Sequence, residues 1–350
     1  MKTEVTELLG IEHPILLAAM AWVTNAEMVA AISNAGALGT LGPNAGAKTV
    51  TIDVNETGER LREQIKRVRS LTDLPFAVNF VVGVAGLDKV YSDRCVEVGI
   101  EERIPIAIIS QGNPNVYTER LKDAGIKVVH VCATVRHAQK AQEAGVDAIV
   151  ASGTDGGGHS GFDQNTTFCL VPQVVQAVNI PVIAGGGVAN GRQLLAALAL
   201  GAEGVYVGTR FIATAECPAH EGYKKTIIDS KDGDTIAIRH GEAAKPGSGN
   251  RGFAAERRGS LRILLNDKIS DIMSQYKGRI DYDLLMTSFA SQSIKEESSV
   301  AASMIDSDSG IDFFAAGQGV GLINNVLTCQ EVIQKFIQEA ELAKRKLIPS

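Results

Sequence analysis

The chain has 350 residues, 45% hydrophobic and 21% charged, which is enough to bury one large core plus an accessory region and too apolar for global disorder. A formal charge of −6 with no dense basic tract argues against nucleic acid or an anionic membrane as a partner, and no apolar run approaches the ~18 residues of a membrane span. The cysteines, Cys95, Cys132, Cys169, Cys217 and Cys329, are odd in number and lack a Cys-x-x-Cys spacing; with a polar N-terminus unlike a signal peptide, they point to a reducing cytoplasm rather than to a disulfide or zinc scaffold.

In chain order, short Val/Ile-rich runs predict strands at Pro14–Ala18, Ala37–Leu41, Phe76–Phe80, Ile104–Ile109, Lys127–Cys132, Ala148–Ser152, Pro181–Ala184 and Gly204–Val207. Most do not alternate polar with apolar, as expected where both faces of a parallel sheet are buried. Helical patterns lie between them at Asn25–Asn34, Asp53–Ser70, Leu87–Val98, Asn115–Ala124, Thr134–Ala144, Val171–Val178 and Gly191–Leu200, with Thr134 and Asn190 as N-caps. Eight strands alternating with helices predict an α/β fold, a (β/α)₈ TIM barrel. The runner-up, a doubly wound sheet, would place its glycine fingerprint after the first strand, where this chain has Leu17-Ala18-Ala19-Met20-Ala21-Trp22.

After Arg210 the pattern becomes more polar. Residues 218–310 read as a mainly helical cap, while 1–217 and 311–350 form the barrel with a C-terminal helix at Asn324–Lys346. The cap holds a Gly/Pro/Ser-rich loop, Glu242–Gly252, and a basic stretch with Arg251, Arg257, Arg258 and Arg262. Such a stretch is either a solvated helix face or a contact for substrate phosphate or carboxylate.

The densest chemistry follows the sixth strand, where Gly153, Gly156, Gly157, Gly158 and Gly161 surround the single ring of His159. Glycines let backbone approach a ligand closely. Two further strand-to-glycine junctions follow, at Gly185-Gly186-Gly187 and at Gly208-Thr209. Phosphate sites in barrels favour these last two loops, and backbone N–H groups of Gly186, Gly187, Gly208 and Thr209 suffice to bind a dianion without lysine. Tight turns alone are the bland alternative. Asn79 ends the third strand, either as a turn former or as an amide facing a cofactor.

The ordered set His13-Pro14-Ile15, Met20-Ala21-Trp22-Val23, Pro75-Phe76-Ala77-Val78-Asn79, Gly158-His159-Ser160-Gly161, Ala184-Gly185-Gly186-Gly187-Val188, Gly208-Thr209-Arg210-Phe211 and Ala316-Gly317-Gln318-Gly319 resembles the nitronate monooxygenase, or 2-nitropropane dioxygenase-like, flavoproteins. That family includes the FMN-dependent enoyl-[acyl-carrier-protein] reductase II enzymes and NAD(P)H:quinone reductases. The resemblance implies non-covalent FMN over the strand ends. It places Ala19, Met20, Asn79 and Gly158 near the flavin, Gly185, Gly186, Gly187, Gly208 and Thr209 at its phosphate, and His159 as the catalytic residue. There are departures. Leu17 stands where members commonly have Gln, and His130-Val131-Cys132-Ala133 stands where quinone-reductase relatives have His-Lys-Cys-Thr, which removes a cationic group.

The leading expectation is an FMN-dependent oxidoreductase in which NADH or NADPH drives reduction of a quinone or an activated enoyl group. The acceptor is a small molecule or an acyl thioester, and a homodimer is left open. The alternatives are a nitronate monooxygenase that uses oxygen and a non-redox phosphate-binding barrel. A histidine's ordinary pKa near 6.5 would let His159 donate or accept a proton, and in either flavin reading FMN would carry the redox chemistry.

Overall fold

A computed structural model describes residues 1–49, 51–83, 86–161, 163–239, 259–275 and 314–347. All eight expected strands form: β1 (Ile15–Leu17), β2 (Gly39–Leu41), β3 (Phe76–Val81), β4 (Ile106–Ser110), β5 (Lys127–Cys132), β6 (Ala148–Ser152), then, beyond a short β7 (Gly158–Ser160), β8 (Val182–Gly185) and β9 (Gly204–Val207). The eight barrel strands are parallel neighbours in the order β1-β9-β8-β6-β5-β4-β3-β2, and a parallel bridge between Leu16 and Leu38 joins the two ends. The chain is thus a (β/α)₈ barrel.

The period of two along each strand sorts side chains into two cores. Leu16, Leu38, Ile106, Ile108, Val129, Val150 and Ile183 fill the interior, while Ile15, Leu17, Phe76, Val78, Ile109, Val128 and Val205 belong to the layer packed against the helices. The amino-terminal end of the interior is stoppered by α1 (Glu4–Leu9), a helix with no counterpart in the sequence reading. Its Thr3 N-cap and left-handed Gly10 fix both ends, and Val5 and Leu9 complete the interior cluster.

Around the barrel lie α2 (Ala26–Asn34), α3 (Val54–Leu71), α4 (Gly86–Glu101), α5 (Thr118–Asp123), α6 (Val135–Glu143), α7 (Thr167–Ala177) and α8 (Gly191–Ala199). Thr134 and Asn190 cap as expected, accepting from His137 N at 3.1 Å and Gln193 N at 3.0 Å. Helix α7 starts at Thr167, not at Val171, because the Asp155 carboxylate reaches across to accept from the Thr167 amide. Pro172 then lies inside the helix. Past β9 come α9 (Thr209–Ile212) and, finally, the C-terminal helix Cys329–Leu347, which packs on α8 and α2 and accepts the Gly191 amide on Glu339 Oε2 at 3.0 Å.

The stretch 218–310, expected to be mainly helical, is mixed among its described residues. It holds α10 (Glu221–Asp229), β10 (Thr235–Arg239), β11 (Ser260–Leu264) and α11 (Asp267–Gln275). Strands β10 and β11 are antiparallel, and β11 pairs antiparallel with β7. Thr-Ile-Ala-Ile-Arg and Ser-Leu-Arg-Ile-Leu are five-residue runs whose partners make them strands, a dependence that local pattern does not report. The loop Glu242–Gly252 and Arg251, Arg257 and Arg258 lie outside the described residues.

Candidate active site

The carboxyl ends of the barrel strands enclose a cavity of about 1210 Å³. That is larger than the roughly 300–1,000 Å³ of a typical single-ligand site. Ala19, Met20, Asn79, Gly158, His159, Gly186, Gly187, Gly208 and Thr209 all line it. Gly185 does not. It is the last residue of β8, buried, and its carbonyl accepts from Gly153 N at 2.9 Å and Thr167 Oγ1 at 3.0 Å, so the strand ladder and the α7 start consume it.

His159 is held by a sheet, not by a free loop. It lies on β7 directly opposite Leu261, with Gly158 opposite Arg262 and Ser160 opposite Ser260. Ser160 Oγ and Ser260 Oγ are 2.8 Å apart, and Gln164 Nε2 donates to Ser260 Oγ at 2.8 Å and to Gly161 O at 2.9 Å. The ring is exposed and lines the cavity. Arg262, expected on a helix face, instead lies on β11, buried, and donates from Nε to Thr154 O at 2.9 Å. Burial lowers its pKa, with Asp155 opposing the shift. The arginine therefore braces the β6–β7 loop.

Gly186 and Gly187 have φ of +101° and +73°, so the turn after β8 is open only to glycine without strain. A Cβ on Gly186 would sit 2.8 Å from Gly153 O. The segment Gly317–Gly319 closes over this turn: Gly317 N donates to Thr209 Oγ1 at 3.0 Å, and Gln318 N donates to Asp155 O at 2.8 Å. The amides of Gly187, Gly208 and Thr209 donate to no acceptor among the described residues. Unsatisfied amides converging from two adjacent turns fit a terminal phosphate.

The first loop is different. Ala18 N donates to Val207 O at 2.8 Å, Ala19 N to Tyr206 Oη at 2.8 Å, and Met20 N to Thr24 Oγ1 at 3.4 Å. Its amides are thus committed, and a ligand meets carbonyls and the Met20 thioether there. Trp22 and Gln111, both lining the cavity, sit at φ of 71° and 64°. Positive φ at such residues is strain concentrated at the mouth. Asn79 is buried and gives its amide hydrogens to Ile108 O at 2.9 Å and Ser110 Oγ at 3.0 Å, while its Oδ1 lies 3.3 Å from the same Ser110 hydroxyl, so the side chain is fixed between β3 and β4 with one Oδ1 lone pair still open to the cavity.

Two cavity residues escaped the sequence reading as site residues. His130 on β5 is 3% exposed, its Nδ1 lies 3.1 Å from Val131 O, and its Nε2 has no partner among the described residues. Burial drops its pKa to about 4, so the imidazole is neutral at physiological pH; burial likewise pushes Cys132 up to about 12. Tyr206, on the barrel floor, is raised to about 12 by burial. Its only trace in the sequence is a tyrosine two residues before Gly208, on the inward face of a strand.

The nitronate monooxygenase family profile matches residues 2–339. The chain is 32% identical to the (3aS,4S,5R,7aS)-5-hydroxy-7a-methyl-1-oxo-octahydro-1H-indene-4-carboxyl-CoA dehydrogenase of Mycobacterium tuberculosis, over 97% of this chain and 96% of that protein. It is 33% identical to a Staphylococcus aureus protein named "Probable nitronate monooxygenase", over 81% of this chain and 84% of the relative. Among solved structures, FabK from Thermotoga maritima superposes with a TM-score of 0.81 at 34% identity, covering 99% of this chain and 98% of FabK. Nitroalkane oxidase from Streptomyces ansochromogenes has the same fold, with a TM-score of 0.76 at 24% identity over 98% of this chain and 99% of that one.

Proposed function

Because the chain belongs to the nitronate monooxygenase family and is a flavin-dependent oxidoreductase, we propose that it binds FMN and uses NADH or NADPH to reduce an activated enoyl group, carried on an acyl thioester, or a quinone. The observation that carries this reading is one cavity, about 1210 Å³, lined both by the amide-bearing turns Gly186–Gly187 and Gly208–Thr209 and by His159. It has room for a flavin and a second ligand. Two relatives support the thioester: one is named for a carboxyl-CoA, and FabK is an enoyl-ACP reductase II.

The division of labour follows from the residues. Gly186, Gly187, Gly208 and Thr209 hold the phosphate. Ala19, Met20 and Gly158 would bound the ring by backbone and thioether contact, and Asn79, held by Ser110 and Ile108 O, would offer the remaining lone pair of its Oδ1. When bound, FMN supplies the two-electron chemistry. His159 orients the acceptor's carbonyl and delivers a proton from its ring, regaining one from solvent at the mouth. Residues 1–217 with 311–350 would be the flavin-binding unit; of the segment 218–310, the described strand β11 lines the cavity beside β7 and would bear on acceptor selection, the remainder of that segment lying partly outside the described residues.

A second reading, oxidation of alkyl nitronates with oxygen, draws on the family description and the S. aureus relative; there the same ring acts as a base. Anaerobic stopped-flow of the FMN-loaded protein separates the two. Bleaching of the flavin band by NADH or NADPH, followed by recovery on adding an enoyl-CoA or a quinone, is the expected result. Bleaching by propionate 3-nitronate but not by either nicotinamide establishes the second reading instead.

A further inference from the structure

We propose that Tyr206 is a flavin-binding residue of the barrel floor, its phenolic O–H donating to a polar atom of the bound flavin. The proposal rests on FMN occupying this cavity, as above. Four observations carry it. Tyr206 is on β9, opposite Leu16 of β1 and Gly185 of β8, and its ring packs against the interior core below the cavity. It lines the cavity two residues before Gly208, on the same inward face and about 7 Å deeper along the strand. Its oxygen already accepts the Ala19 amide at 2.8 Å, and its own proton goes to no acceptor among the described residues. Burial raises the phenol's pKa, so the proton stays on the oxygen at any physiological pH.

A tyrosine whose ring packs on an apolar core normally places its O–H on a partner. Here the interior core that the ring packs against, Leu16, Val150 and Ile183 among it, is apolar, the phenol proton meets no acceptor among the described residues, and the cavity, which Ser152 also lines, is the direction left for the donor. Accepting from Ala19 polarises the hydroxyl and makes it the stronger donor. The same bond ties the first loop, with Ala19 and Met20, to the strand that leads into Gly208 and Thr209. One phenol thus sets the height of the ring-contacting loop relative to the phosphate-contacting turn. A flavin is the ligand class that needs both at once: it has a phosphate at one end, a polar ribityl chain in the middle and ring heteroatoms at the other.

The test is the dissociation constant of FMN, from fluorescence quenching on titrating flavin-free protein, for wild type and Tyr206→Phe, with the melting temperature of each flavin-free form. Phenylalanine keeps the packing. The expected result is a Kd raised about 10-fold, the contribution of one such hydrogen bond, with a melting temperature shifted little. An unchanged Kd with a lowered melting temperature makes the phenol a structural tie for the loop and overturns the proposal. Wild type that binds no FMN overturns both this and the proposed function, whereas an equal Kd in the two proteins overturns only this. Should the variant not fold, 3-fluorotyrosine placed at 206 gives a second readout. Its fluorine resonance is expected to shift on adding FMN, and a stationary resonance at saturating flavin overturns the assignment.

Discussion

At position 130 the protein keeps an imidazole neutral by burying it in the barrel wall, and this makes a pH-dependent contribution to the fold. The folded pKa, about 4, lies below the unfolded value of 6.5. Between those limits the unfolded chain binds the extra proton. Stability from this group is therefore full above pH 6.5 and is lost as pH falls towards 4, with a slope of up to about 1.4 kcal/mol per pH unit. His13 and His137 are lowered by burial in the same direction, so the clean measurement is a difference. Urea unfolding of His130→Gln from pH 7 to 4.5 is expected to show a shallower loss than wild type; parallel curves would assign the acid sensitivity elsewhere. Two other residue-scale outcomes bear on the site. His159→Asn is expected to retain flavin and to lose roughly 10²-fold in turnover where chemistry limits the rate. Gly208→Ala is the sharper probe of the phosphate turns. A Cβ there meets only Ala18 Cβ and Met20 Sδ at 3.5 Å, an ordinary contact, whereas one on Gly186 strikes backbone. It is expected to weaken FMN binding about 10-fold or more in equilibrium dialysis with an unchanged circular dichroism spectrum, since a methyl group then intrudes where the phosphate approaches.

At the scale of elements, the two ends of the barrel are separable. Leu9 of α1 is 1% exposed in the interior cluster at the closed end. Leu9→Ala is expected to cost about 2–4 kcal/mol in denaturant unfolding while leaving FMN affinity within twofold, because the cavity opens at the other end. Equal losses in both would mean that the interior core transmits strain to the site. The same contrast explains what could be read beforehand. The eight strands were legible because a parallel sheet buried on both faces writes itself as Val/Ile runs, and Thr134 and Asn190 act within one helical turn. The stopper α1 was not, since six residues with a polar outer face carry too short a pattern. Strand β7 was invisible: Gly158-His159-Ser160 has no strand pattern and becomes a strand only because Ser260–Arg262 pair with it. That most of the singled-out glycines and Asn79 line the strand-end cavity was legible by type and position. Gly185 was over-read, being one residue short of the turn, and His130 and Tyr206 were under-read, because depth and hydrogen-bond vacancy are tertiary properties.

At the scale of the whole molecule, the proposed function asks the one cavity at the strand ends among the described residues to serve both reductant and acceptor. With FMN along its floor, about 1210 Å³ would leave space for one further ligand over the ring, not two. On that reading nicotinamide leaves before the acceptor enters. Initial-rate plots at varied NADH and fixed enoyl-CoA are expected to give parallel lines, the pattern of substituted-enzyme kinetics. Lines that intersect would demonstrate a ternary complex and a wider mouth than this.

The pairing of β7 with β11 also orders events during synthesis. The strand that carries His159 has its hydrogen-bonding partner about a hundred residues downstream, and Gly317, which closes over the phosphate turn, comes later still. Chain emerging from the ribosome at ~5–20 residues per second completes all eight barrel strands before either arrives. For several seconds the nascent protein has its eight strands but neither a fixed His159 strand nor a covered turn after β8. On the proposed function, a protein built this way would stay catalytically silent until its last third is made, and would expose no working redox centre to the cell while half-assembled.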